Sequence, residues 1–177
     1  MNFDLRTLQT VLGYSLTLAE KFTGISVRGN KLDSIFNYLP INPDLATSGQ
    51  PTKNQFQAIQ SAGFTTIINL TPPNSENALK NEAGIVTALG MHYINIPVDF
   101  DNPTEQNFEQ FVSQIQNRGE QRLWIHCAAN MRVSCFIFQY RTAILGEDRL
   151  HAEADLKKIW EPSGLWQCFI NDKPTSH

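Results

Sequence analysis

The sequence predicts an α/β fold: a single three-layer domain with helices on both faces of a mainly parallel sheet of four or five strands. Three observations predict it. From residue 45 onward, short apolar runs alternate with longer stretches whose apolar residues recur every three or four positions, the pattern of repeated βα units. Glycine or proline stands at many of the junctions, as at Pro51, Gly63, Gly90 and Pro103. At 177 residues, 41% of them hydrophobic, the chain is long enough to bury one full core, and no repeat or low-complexity stretch divides it.

Each element has its own justification. Leu5, Leu8, Leu12, Leu16 and Ala19 recur at helical spacing, so residues 4–22 read as an amphipathic helix, an appendage packed on the domain. Residues 23–44 are mixed and punctuated by Pro40 and Pro43. Residues 1–44 are therefore expected to form an N-terminal helix and irregular extension, and residues 45–177 the α/β domain. Residues 45–50 read as a short edge strand. Pro51 suits the first turn of a helix that runs to Ala62 through Phe56 and Ile59, with Gly63 as its stop. Residues 65–70 form a buried strand and residues 76–89 a helix closed by Gly90. The strand at 93–98 tolerates Pro97 only near its end. Residues 104–117 carry Phe108, Phe111, Val112 and Ile115 on one helical face. Strand 122–126 is short and apolar and is expected at the centre of the sheet. Helix 133–145 follows it. A last helix, 150–160, leads to an aromatic tail of Trp160, Trp166 and Phe169, whose rings read as packing.

Composition narrows the classes of function. A net charge of −3 leaves no electrostatic footprint for nucleic acid or an anionic membrane surface. Three cysteines without paired spacing do not make a disulfide framework, and a free nucleophilic cysteine suits a reducing compartment. The first residues, Met1 to Arg6, lack the basic start and apolar run of a signal peptide, and no stretch is long and apolar enough to span a bilayer. The expected location is cytoplasmic.

The chemistry concentrates after strand 122–126. That strand ends in His126-Cys127, and after Ala128, Ala129, Asn130, Met131 and Arg132 an apolar helix pattern runs through Phe136, Ile137 and Tyr140. A thiol thus sits where a strand ends and a helix begins. There the free N–H groups and the helix dipole favour an anion, and favour thiolate, the nucleophilic form, over thiol. Arg132 adds a planar fork suited to an oxyanion. The backbone of residues 128–132 is the candidate cradle, with Asn130 the residue most tolerant of a left-handed conformation. In open α/β sheets ligands bind beyond the carboxyl ends of the strands. The loops at 71–76, 98–104 and 127–132 should converge there, bringing Thr71, Asn74, Ser75 and Glu76, then Asp99 and Asp101, then Cys127 and Arg132. His126 is expected to orient the loop through hydrogen bonds. Plainer readings stand beside these: Asp101 or Asn102 as the cap of the next helix, and Cys127 as an inert buried cysteine. Cys135 and Cys168 fit core positions and, like the isolated His92 and His151, show no zinc spacing. No metal or other cofactor is called for.

The run His126-Cys127 to Arg132 and Ser134 resembles the phosphate-binding loop of Cys-based phosphatases, H-C-x5-R-S/T. It departs in register. The spacing here is C-x4-R, Val133 holds the family's Arg position, Ser134 falls where the family has Ser or Thr, and the loop has no Gly. On a helix of 3.6 residues per turn this turns Arg132 by about 100° from the usual direction. Further pieces match in order: Thr47-Ser48-Gly49-Gln50-Pro51, Ala62-Gly63-Phe64, Ile67-Ile68-Asn69-Leu70, Glu82, and Tyr93 to Val98. Together, residues 45–145 look like small bacterial phosphatase-like proteins related to dual-specificity and tyrosine phosphatases. The resemblance implies a phosphotyrosine-phosphatase-like fold and a phosphomonoester hydrolase working through a phosphocysteine. By motif position it implies a nucleophile at Cys127 and an anion clamp at Arg132. It also implies phosphate-binding amides at Ala128, Ala129, Asn130 and Met131, with support from His126 and Ser134. The acid is Asp99 or Asp101, 28 and 26 residues before Cys127, with Asp101 preferred because it lies further into the loop. The implied partner is a phosphorylated substrate or a small oxyanion. Two alternatives share the loop: a rhodanese-type sulfurtransferase, a family that also uses C-x4-R, and an anion-binding module without turnover.

Overall fold

The structure, a computed structural model, describes residues 4–23 and 29–172. Residues 1–3 and 24–28 of the expected extension and residues 173–177 of the expected domain lie outside the described residues. Five strands make one sheet: β1 (Leu39–Asn42), β2 (Leu45–Ser48), β3 (Thr66–Asn69), β4 (His92–Asn95) and β5 (Leu123–His126), in the order β1-β2-β5-β3-β4. β2, β5, β3 and β4 run parallel, and β1 is antiparallel to β2. β5 therefore lies at the centre. Its side chains alternate between the faces, as the two-residue period of a strand requires. Leu123 and Ile125 join a core with α4 (Glu105–Gln116), α5 (Met131–Gln139), α6 (Arg149–Lys157) and α7 (Leu165–Asn171). Trp124 joins the opposite core with α2 (Lys53–Ser61) and α3 (Glu82–Ala88).

Several local expectations are corrected. Residues 45–48 do not form an edge strand: β1 pairs outside β2, with Leu39 opposite Thr47 and Pro40 opposite Ala46. β1 escaped the sequence pattern because Pro40 reads as a break, whereas an exposed edge position can spare its N–H. The helix expected at 76–89 is only Glu82–Ala88. Ahead of it the chain makes turns, Ser75 N–H to the Pro72 carbonyl and Ala78 N–H to the Ser75 carbonyl, and Asn81 is left-handed at φ 55°. The helix expected at 133–145 starts earlier, at Met131, and its last turn, Tyr140–Ile144, is π-wound. There the buried Arg141 guanidinium binds Glu147 through two hydrogen bonds (2.7 and 2.6 Å) and Asp155 through a third (2.6 Å). The aromatic tail contains a further helix, α7, which buries Trp166 and Ile170 and leaves Cys168 exposed, not in the core.

The N-terminal helix α1 (Leu5–Thr23) is amphipathic, but it is turned over. Leu5, Leu8, Leu12 and Leu16 face out, from 47% to 69% exposed, while Thr7 and Thr10 are buried. Polar contacts seat it: Thr10 Oγ1 donates to the Ile159 carbonyl (2.5 Å), and Thr7 Oγ1 accepts from Glu161 N–H (2.9 Å). Gly13 is required at the contact, because a Cβ there would come within 2.4 Å of the Phe36 ring.

Candidate active site

β5 delivers Cys127 to the carboxyl end of the central strand, and α5 begins at Met131. The chain makes this short turn by placing Asn130 in the left-handed region, at φ 65° and ψ 1°. Asn130 is fully buried, and its side-chain amide donates to the Asn37 carbonyl (2.8 Å) and to Thr47 Oγ1 (3.0 Å). Asn37 Nδ2 returns a hydrogen bond to the Ala129 carbonyl (2.9 Å), and Gln50 N–H donates to the Ala128 carbonyl (3.1 Å). The Asn130 side chain does not cap α5. The first-turn amides of a helix have no carbonyl one turn earlier, and without a cap from the Asn130 side chain they suit an anion.

Cys127, 1% exposed, and Arg132 both line one cavity of about 340 Å³, with Ala128, Ala129 and Met131 beside them. Arg132 is the second residue of α5. Despite its early register it lies in the cavity wall, while Val133, in the family's Arg position, is buried in the core. The Arg132 Nη1 group donates to the Leu70 carbonyl at the end of β3 (3.1 Å). Its guanidinium lies 5.8 Å from the centre of the Phe100 ring, within cation–π range. Its Nε–H is buried without a partner among the described residues.

His126 sits fully buried beneath the loop, with Nε2 3.0 Å from Glu82 Oε1. Asn69 Nδ2 donates to the same carboxylate (2.9 Å), and so does Gln50 Nε2 (2.6 Å). Burial pushes the Glu82 carboxyl up, but the charge and hydrogen bond of His126 and the two amide donors outweigh it and hold the group below its ordinary value. Ser134 Oγ donates to the Met131 carbonyl (2.9 Å) and accepts from Trp160 Nε1 (3.2 Å). Burial pushes the Cys135 thiol well up, which keeps it uncharged and inert.

The other two loops contribute differently from expectation. Asp99 and Asp101 are both exposed and neither lines the cavity. Asp99 Oδ1 accepts from the Asp101 N–H (3.0 Å), which ties it into the turn. Phe100, between them, forms the cavity wall, held by Trp166, whose Nε1–H donates to the Phe100 carbonyl (2.9 Å). Neither Asp101 nor Asn102 caps α4: Thr104 does, in a reciprocal capping box with Asn107. Thr71, Asn74, Ser75 and Glu76 do not line the cavity. Sequence reasoning missed Val11 and Tyr14 of α1, which line the same cavity. No motif marks them, and a helix read as an appendage gives no sign of which face it lends to a site. Among the described residues no group of His, Cys, Asp and Glu is placed to hold a metal ion, and no helix is long and apolar enough to cross a membrane.

A central parallel strand delivering a cysteine to the uncapped start of a helix, with an arginine in the same cavity wall, defines the class of Cys-based phosphatase folds. The chain belongs to the family described as "DSP-PTPase phosphatase fused to NAD+ Kinase", whose sequence profile matches residues 41–163. It is 34% identical over 95 residues to a beta-lactamase hydrolase-like protein of Xylella fastidiosa, a match covering 52% of this chain and 22% of that protein. The chain thus spans about a fifth of the curated relatives it matches. Among solved structures it is similar to a DUF442 protein of Shewanella putrefaciens CN-32 (29% identity, TM-score 0.71, 78% of this chain and 91% of that one). The core catalytic domain of the PP-IP phosphatase Siw14 of S. cerevisiae shares the fold (16% identity, TM-score 0.66, 77% of this chain and 84% of that one).

Proposed function

We propose that the protein hydrolyses phosphate monoesters through a phosphocysteine intermediate. One observation carries this reading: Cys127 and Arg132 line the same cavity at the uncapped start of α5. The Cys127 thiolate attacks phosphorus. An S–P bond forms as the P–O bond to the leaving group breaks, and the leaving oxygen takes a proton from an Asp of the 98–104 loop. Water then attacks phosphorus, with that carboxylate as base. The S–P bond breaks, the thiolate is restored and inorganic phosphate departs. In this scheme amides of the 128–132 backbone and Arg132 Nε–H donate to the equatorial oxygens, where charge builds in the transition state. Asp101 is the acid in this scheme. Asp99 is tied to the turn, and the Asp101 carboxylate has no partner among the described residues. The loop closes over bound substrate to bring it in. The phosphatase name of the Siw14 neighbour agrees with phosphoryl chemistry.

The test is hydrolysis of 4-nitrophenyl phosphate by the full chain, run beside sulfur transfer from thiosulfate to cyanide. Cys127→Ser abolishes hydrolysis, and Arg132→Ala lowers kcat/KM by about 10²–10³-fold, the scale of one lost oxyanion donor. Asp101→Asn lowers kcat more than Asp99→Asn. Sulfur transfer that needs Cys127, without ester hydrolysis, replaces this reading with a rhodanese-type one. Phosphate binding with neither activity makes the protein an anion-binding module.

A further inference from the structure

α1 lies outside the residues matched by the family profile, yet it helps to build the cavity. Val11 and Tyr14 line it together with Phe100 and Met131, so four apolar or aromatic side chains share the cavity with the thiol. The helix is not loosely laid there. Asn37 Nδ2 donates both to Thr10 Oγ1 of α1 (3.1 Å) and to the Ala129 carbonyl of the anion loop (2.9 Å). One side chain therefore ties α1 to the loop it faces, and the Thr10 contact to Ile159 and the closely fitted Gly13 fix the helix further.

The charge of the cavity is equally specific. Among the described residues Arg132 is the sole lining cation, while Asp99 and Asp101 flank Phe100 on the exposed side and the Glu76 charge reaches Tyr14. One phosphate fits that balance, and a second or third would meet these carboxylates with no further lining cation among the described residues. The group carrying the phosphate meets the Tyr14 and Phe100 rings and the Val11 and Met131 side chains, which favour a flat apolar body. Burial, and then the Glu76 charge, raise the Tyr14 phenol, so it stays protonated at neutral pH and faces the site as a neutral ring with a donor. The charge of Arg132 also reaches it.

We propose that α1 is a specificity element, and that Tyr14 with Val11 selects aryl monophosphates, one phosphate on a flat apolar group, over polyphosphates and bare phosphate. The inference rests on the anion site of the proposed phosphatase, but its test does not need turnover. The full chain carrying Cys127→Ser is titrated calorimetrically with phenyl phosphate, inorganic phosphate and inositol hexakisphosphate. Phenyl phosphate is expected to bind about tenfold more tightly than inorganic phosphate, and inositol hexakisphosphate no better than inorganic phosphate. Adding Tyr14→Ala should close the phenyl gap to within about twofold, whereas Tyr14→Phe, which keeps the ring, should preserve it. Val11→Ala gives a second, milder narrowing that does not depend on how Tyr14→Ala folds. Equal affinity for phenyl and inorganic phosphate overturns the inference, as does a gap that survives both the Tyr14→Ala and Val11→Ala changes, or tighter binding of the hexakisphosphate. The expected binding pattern in a protein whose native form fails to hydrolyse 4-nitrophenyl phosphate sinks the hydrolytic reading and leaves this one standing.

Discussion

Asn130 carries much of the burden of the short loop. A residue with a Cβ pays in strain at positive φ, and Asn is the residue that bears it best, because its short amide can bond locally. Here that amide also reaches Asn37 and Thr47. Asn130→Gly should keep the turn and lose the bonds, while Asn130→Ala loses both. Denaturant melts should place the Ala variant about 1 kcal/mol below the Gly variant; equal midpoints would mean that the left-handed turn costs nothing here. Beneath the loop, Glu82 ties stability to pH. Its carboxyl titrates lower in the folded protein than its ordinary 4.5, so the stability it confers is present above that value. It drains away as pH falls below 4.5 through the folded value. Glu82→Gln should cost about 2 kcal/mol at neutral pH and flatten the stability profile on the acid side. Urea melts across that range decide it, and a Gln variant that loses stability as steeply as wild type would clear Glu82 of the role.

At the scale of elements, two helices beyond the βα repeat shape the site. α7 holds the 98–104 loop through Trp166, with its ring 5.4 Å from the Phe100 ring and its indole N–H on the Phe100 carbonyl. Trp166→Phe retains a ring and removes the donor. Amide exchange through residues 98–104 should quicken by about fivefold, the equivalent of one hydrogen bond of about 1 kcal/mol, with the exchange of β5 unchanged. Unaltered exchange in the loop would show that ring packing alone holds it. α1 inverts the usual orientation of an amphipathic helix, since its threonines bond to the domain and its leucines face outward.

At the scale of the whole molecule, β5 joins two cores that lie on opposite faces of one sheet, so stability should concentrate there. Ile125→Ala removes a fully buried side chain and should cost about 3 kcal/mol. Leu12→Ser, at 58% exposed on the outer stripe of α1, should change stability by less than about 0.5 kcal/mol. Paired thermal melts test the contrast, and a Leu12→Ser loss as large as that of Ile125→Ala would mean that the stripe is covered in solution.

The sequence by itself determined the layered fold, the central position of β5 and the strand–cysteine–helix turn. Those depend on period-two and period-3.6 patterns and on which residues stand at one junction, all local properties. It marked Asn130 as the residue able to turn left-handed, but not the partners, Asn37 and Thr47, that hold it. It placed Arg132 one residue early, and only the folded loop shows that the early register still lands in the cavity wall. It missed β1, because the partner that makes Pro40 tolerable is a neighbouring strand and not a neighbouring residue. Tertiary structure alone decided that Phe100, not either flanking Asp, faces the cavity, and that Val11 and Tyr14 close it. Those facts follow from where helices separated by more than a hundred residues come to rest, and packing sets that without leaving a mark in the spacing of any one segment.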